Sequence, residues 1–160
     1  MQTQAAIDDQ INLQQPARWV TFGLEGETYG VNVMHVREVL RLVDVTPVPS
    51  APAYILGIIN LRGNVVTVID ARSRFGLPPR EPTEASRILV LEADSEVVGF
   101  LVDNISEVSD IKPDQIEVAP HLSKEQASNY ILGIANSENN LVILVDLARI
   151  ANEDRKAHAA

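Results

Sequence analysis

The sequence predicts an all-β chain, a tandem of two small barrels joined along an apolar seam, with short helices. Three observations predict it. The stretch Tyr54 to Asp70, YILGIINLRGNVVTVID, recurs without gaps 76 positions later as Tyr130 to Asp146, YILGIANSENNLVILVD. The front half repeats as well, at a shift of 69, through Gly30/Gly99, Val33/Val102, Glu38/Glu107 and Val39/Val108. Short β-branched runs separated by turn residues fill both copies, which favours small barrels over one open sheet. The runs are nearly continuous in apolar residues, so both faces of these strands should be covered.

Met1 to Pro16 is rich in Gln, Ala and Asp, with isolated Ile7, Ile11 and Leu13, and reads as a frayed N-terminus. Arg18–Leu24 and Glu27–Val33 read as strands turning at Glu25-Gly26, with Val20, Phe22 and Leu24 on one face. Over Met34–Leu42, the apolar positions Val36, Val39, Leu40 and Val43 fit helical spacing, with Arg37, Glu38 and Arg41 opposite, so a short helix is expected. Thr46-Pro47-Val48-Pro49-Ser50 is extended, because proline steers its predecessor out of the helical region. One helical turn at Pro52–Tyr54 leads into the central hairpin. There Arg62-Gly63-Asn64 makes the turn, and Gly57 implies close approach of another backbone. Asp70 can cap a helical turn at Ala71–Phe75 that Gly76 closes.

Gly76–Ser86, with three prolines, is the best linker. Arg87–Ala93 and Glu96–Asp103 form the next strand pair around Asp94-Ser95. Asp103-Asn104 then turns into a strand, Ile105–Ile111. The two shifts differ by seven, so the second copy carries seven extra residues between Ser109 and Asn129. Asp146 caps a short helix, Leu147–Ala151, and residues 152–160 read as a loose tail. The first unit is then 17–78 and the second 86–151, with strand exchange between them left open. Each is near the lower size limit for independent stability.

The chain carries a net charge of −9 and no cysteine, so thiolate metal sites and disulfides are excluded and a reducing compartment is expected. No leader is visible, and no apolar run reaches the ~18–20 residues of a membrane span. Nucleic acid would be repelled, and the seven aromatics are scattered singly. Catalysis has little to build on. There is no nucleophile elbow, and His35 and His121 read as partly exposed surface histidines, with His158 in the tail. Asp70 and Asp146 are explained as helix caps, and Asp94/Glu96 and Asp103/Asp110 lack metal-ligand spacing. No catalytic residue, metal or cofactor is expected.

Arg62 differs in kind. It sits at a hairpin tip where the second copy has Glu138, so the fold does not require it, and arginine is a favoured interface anchor. Glu38 is repeated by Glu107. Val36, Val98, Ile105 and Val108 are either core residues or the lining of an exposed seam.

The segments YGVNVMHVREVL, TPVPSAPAYILGIINLRGNVVTVID, VVGFLVDNISEV and YILGIANSENNLVILVD resemble the CheW family of bacterial chemotaxis coupling proteins, over about Arg18 to Ala151. The NLRG hairpin at Asn60–Gly63 is the most specific part. The resemblance implies two five-stranded SH3-like barrels sharing a hydrophobic seam, and no catalysis. It implies a cytoplasmic adaptor, monomeric when free, between the cytoplasmic tip of chemoreceptors and the regulatory domain of a CheA-type histidine kinase, with which it alternates around rings in membrane receptor arrays. It places receptor contacts at Val36, Glu38, Arg62, Val98, Ile105 and Val108, and kinase or ring contacts at Val45, Val48, His121 and Leu122. Two other readings stand beside it: a CheW-like module of another signalling assembly, and a small-ligand-binding or hydrolytic barrel.

Overall fold

The computed structural model describes residues 12–93, 95–118 and 130–151. Most of the N-terminal segment, the tail, and the loop carrying His121 and Leu122 lie outside these residues. The strands are β1 (Ala17–Leu24), β2 (Glu27–Asn32), β3 (Val36–Arg41), β4 (Ile55–Leu61), β5 (Asn64–Asp70), β6 (Arg87–Ala93), β7 (Glu96–Val102), β8 (Asn104–Ile111), β9 (Ile116–Glu117), β10 (Ile131–Ser137) and β11 (Asn140–Val145). Helix α1 is Ala71–Arg74, and α2 covers 147–151.

The hairpins form where the turn residues place them. Their two-residue loops hold Glu25-Gly26, Arg62-Gly63 and Glu138-Asn139, all at positive φ. That is the mirror-image turn whose twist matches the strands. Asp70 accepts a hydrogen bond from the Arg72 amide, and Asp146 accepts one from the Arg149 amide, each at 3.1 Å. Both aspartates are therefore the expected caps. Leucine and valine at helical spacing mislead at one place. Met34–Leu42 is not a helix: Val33–His35 is a single 3-10 turn capped by Asn32, and β3 follows. In β3 Val36, Glu38 and Leu40 are partly buried while Arg37, Val39 and Arg41 are exposed, a period of two that pairing with β6 selects over the helical one. The turn also buries His35, which is 4% exposed rather than at the surface.

Two sheets result, in the orders β8-β1-β2-β11-β10-β9 and β3-β6-β7-β5-β4. Neither is confined to one side of the linker. The six-stranded sheet joins β1 and β2 to strands of the second copy, and the five-stranded sheet joins β6 and β7 to strands of the first. The two copies thus exchange their leading hairpins. The repeat holds down to register: β5 runs parallel to β7 with Thr67 opposite Val98, and β11 runs parallel to β2 with Ile143 opposite Tyr29. Each sheet also curls. The chain leaving β3 reaches the far edge at Thr46, which exchanges backbone hydrogen bonds of 2.9 and 2.8 Å with Ile58 of β4. The chain leaving β8 reaches β10 in the same way through β9.

The strands are covered on both faces, as their apolar runs predict. Ile88 and Val90 of β6 point into the five-stranded sheet with Val66 and Val68, while Leu89 and Leu91 point the other way. Trp19, Ile111 and Leu144 fill the six-stranded sheet. The largest cluster lies between the sheets and draws Phe22, Leu24 and Val145 from one and Ile69, Leu89 and Phe100 from the other. It is the shared seam.

One polar clamp crosses that seam. The buried Arg72 guanidinium donates to both carboxylate oxygens of Asp103, at 2.8 and 3.0 Å, and also to Glu25 and to the Pro78 carbonyl. It ties α1, the linker, the β1–β2 turn and the β7–β8 junction together. Burial and pairing make Arg72 a structural residue. Burial alone would push the Asp103 carboxyl up. The bonds from Arg72 and the Glu25 amide, with the charges of Arg72 and Arg80, outweigh it and hold the carboxyl below its usual range. At Asp70 burial prevails and pushes the carboxyl up.

Two stability tests arise. A Cβ on Gly57 would lie 2.0 Å from the Thr46 carbonyl oxygen, at φ 149°. Gly57→Ala should therefore cost about 3 kcal/mol or more in urea denaturation, against about 1 for Gly26→Ala, whose Cβ meets nothing within 4 Å. Arg72→Met should cost about 3–5 kcal/mol by stranding Asp103. Because the folded Asp103 binds its proton less readily than the unfolded one, its contribution is present above ~4 and lost as pH falls through its depressed value. Arg72→Met should flatten that acid loss. Asp70 acts in the opposite sense, contributing at low pH and less as pH rises through its raised value.

Candidate docking surface

No group of three or more His, Asp or Glu that could hold a metal ion occurs among the described residues. None of their helices is long and apolar enough to cross a membrane.

The two charged candidates come together. Arg62, at φ 51° on the tip of the β4–β5 turn, pairs with Glu38 of β3. Strands β3 and β4 are the opposite edges of the five-stranded sheet, so only its curl makes this contact. Arg62 keeps most of its side chain in water, whereas Glu38 is largely covered. Asn60 braces the turn by accepting from the Gly63 amide at 2.9 Å. Beside the pair, Leu61, Asn64 and Val65 join Arg37 and Glu92 around a polar hollow of about 370 Å³.

The apolar candidates separate. Val98 is core, 9% exposed, at the seam. Val36 and Ile105 are partly buried against the same cluster. They are equivalent by the repeat, Val36 opposite Leu91 of β6 and Ile105 opposite Phe22 of β1. Val108 stands on the outer face of β8, 56% exposed. Val45 is packed against the interior of the five-stranded sheet, and Val48 is exposed. His121 and Leu122 lie outside the described residues.

Val48 and Val98 meet in a feature that the sequence does not announce. A cleft of about 460 Å³ opens between the Val48–Pro52 loop and the β5–β7 face, lined mainly by Val48, Pro52, Ile55, Ile69, Val98 and Ala151. Its signal in the sequence is indirect: its walls come from both copies, Val48 to Ile69 from the first and Val98 and Ala151 from the second, so it exists only once the hairpins have exchanged. On the opposite side of the seam Tyr29 stacks on Phe22 at 5.7 Å, and burial, with the nearby Glu27 carboxylate, pushes its hydroxyl up.

The family profile described as "CheW-like domain" matches residues 18–155. A "Chemotaxis protein CheW" of Rhizobium meliloti is 34% identical over 139 residues, covering 86% of this chain and 90% of that protein. A "Chemotaxis protein CheW" of Bacillus subtilis is 31% identical, covering 89% and 91%. The crystal structure of scaffolding protein TtCheW from Thermoanaerobacter tengcongensis superposes with a TM-score of 0.77 at 35% identity, covering 82% of this chain and 89% of that one. With two exchanged all-β repeats, paired surface charges and a seam-side cleft, the chain belongs to the CheW family of non-enzymatic chemotaxis scaffolds.

Proposed function

We propose that the chain couples the cytoplasmic tips of chemoreceptors to the regulatory domain of a CheA-type histidine kinase. It acts in the cytoplasm, monomeric when free, and joins rings with the kinase when recruited to membrane receptor arrays. The observation that supports this best is the Glu38–Arg62 pair. It occupies a hairpin tip whose repeat partner has the opposite charge, Glu138, so the arginine serves a surface role rather than the fold. Arginine on a rigid turn is a strong interface anchor.

The receptor side comprises Val36, Glu38, Arg62, Val98, Ile105 and Val108. Within this set the half-covered valines and isoleucine give an apolar floor and the charged pair gives the rim, the usual anatomy of a protein interface. Val98, being nearly buried, contributes as a wall of the cleft rather than as a free contact. A receptor tip is a helical hairpin, and a helix seated in an apolar groove engages it through side chains three and four residues apart. The kinase and ring contacts are assigned to Val45, Val48, His121 and Leu122. Of these Val45 acts by shaping the β4 edge, because it is packed inward.

Replacing Arg62 by alanine removes one exposed ion pair, so its cost in stability should be at most about 1 kcal/mol. Thermal denaturation should therefore be nearly unchanged. Pull-down with a receptor cytoplasmic fragment and kinase, or ring reconstitution, should show assembly weakened about tenfold, the scale of one interface anchor. Ternary assembly at the wild-type level would remove Arg62 from the receptor contact.

A further inference from the structure

Ile105 and Val108 lie three residues apart on β8, and in a regular strand that spacing turns two side chains to opposite faces. In β8 it does not. Residues directly opposite each other in a sheet share a face. Ile105 stands opposite Phe22 and Val108 opposite Val20, and both partners belong to the cluster between the sheets. The last residue, Ile111, stands opposite Ala17 and packs into the interior of the six-stranded sheet, although a step of six would return it to the face of Ile105. Register is the cause. Thr21 pairs with Glu107 and Phe22 with Ile105, so Ser106 is an extra residue, and this bulge reverses the alternation.

The bulge has a lock. Thr21 is 3% exposed. Its hydroxyl donates to the Glu107 carbonyl and accepts from the Glu107 amide, each at 3.1 Å. One buried side chain thus serves both backbone groups of the residue that follows the extra one. The lock matters because β8 is an edge strand, paired only with β1 among the described strands in its sheet. Its start is fixed separately: Asp103 donates its amide to the Gly23 carbonyl at 3.1 Å and accepts from the Glu25 amide at 2.9 Å. The first copy has the same irregularity in β3, between Val36 and Glu38, where Arg37 is the extra residue. There the shift of 69 carries Thr21 to the buried Val90, which has no hydroxyl to offer. The fold therefore builds this bulge without a threonine, and the hydroxyl is an addition made beneath β8 alone.

We propose that Thr21 is a positioning residue for the partner surface: its hydroxyl holds the β8 bulge and so keeps Ile105 and Val108 on one face for the receptor-tip helix. This rests on the receptor reading above. Neighbours on one face of a strand lie about 7 Å apart, within reach of side chains on successive turns of a helix. Loss of the bulge would slip the register by one residue and send Ile105 to the other face.

The test is Thr21→Val, which keeps the shape and removes the hydroxyl, with Thr21→Ser to restore it. Three readouts are taken on the full chain: calorimetric binding to a receptor cytoplasmic fragment with Arg62→Ala for comparison, binding to the kinase regulatory domain, and amide hydrogen exchange at Glu107 by NMR. Thr21→Val should speed exchange at Glu107 tenfold or more and weaken receptor binding about tenfold, with kinase binding within twofold of wild type. Thr21→Ser should return exchange and receptor binding to near the wild-type values. If Thr21→Val exchanges faster at Glu107 yet binds the receptor fragment as wild type does while Arg62→Ala does not, the positioning role is overturned and the receptor reading stands. Parallel loss of receptor and kinase binding would make Thr21 a residue of the fold alone, and unchanged exchange at Glu107 would remove the lock; either overturns the proposal. Should Thr21→Val not fold, Thr21→Ala takes its place with the same expectations, and failure of both to fold overturns the proposal too. If wild type does not bind the fragment, the receptor reading falls and the proposal falls with it.

Discussion

Everything in this molecule depends on the seam. Each copy of the repeat contributes strands that are apolar on both faces, and a curled sheet of so few strands can bury only the inner one. The outer face must be covered by something, and the only partner of matching shape is the other copy. The large cluster between the sheets, with Phe22, Leu24 and Val145 meeting Ile69, Leu89 and Phe100, is that cover. Burial of this kind scales with apolar area removed from water, so the seam adds as much in kind as either interior. The parallel pairings of β5 with β7 and β11 with β2 then follow from the exchange of hairpins. Parallel neighbours need a long crossover and here pass between copies, and the exchange also makes two antiparallel pairs between copies, β1 with β8 and β3 with β6.

Much of this was legible beforehand, and the reasons are local. Turn chemistry placed the hairpins, because Gly and Asn at the tips permit positive φ. Two aspartates placed two helix caps. The repeat carried the hidden information that both copies take one fold, and it would have corrected the misreading of Met34–Leu42. Ile105–Ile111 reads as a strand, and its counterpart Val36–Arg41 must be one too. Periodicity in so short a segment was ambiguous between 3.6 and 2, and pairing with β6 resolved it. What no local signal holds is sheet membership. The exchange of leading hairpins changes no turn and no cap, so both arrangements read alike in one dimension.

The same limit governs the site. Arg62 stood out because it breaks the repeat, but its pairing with Glu38 was out of reach, since the two residues belong to opposite edges of one sheet. Val98 and Val108 looked equivalent as candidates, yet one lines the seam and the other faces water. Nothing local in the sequence marks Arg72 as buried, because charge is normally solvated. Only the convergence of Asp103, Glu25 and the Pro78 carbonyl makes its burial tolerable. Departures from symmetry proved more informative than the symmetry itself. Gly57 and Gly133 recur because backbone crosses close to both, whereas Thr21 against Val90 and Arg62 against Glu138 recur as differences.

The exchange of hairpins has a mechanical consequence. A polypeptide cut within the Gly76–Ser86 linker would separate into two pieces that each hold part of both sheets and the whole of neither. Neither piece could complete a folded body before the other arrived, yet their complementary edges would remain matched, so reassembly of the severed halves would be coupled to their folding. In the intact chain the same arrangement leaves no half able to loosen by itself. A load applied at one sheet is felt in the other.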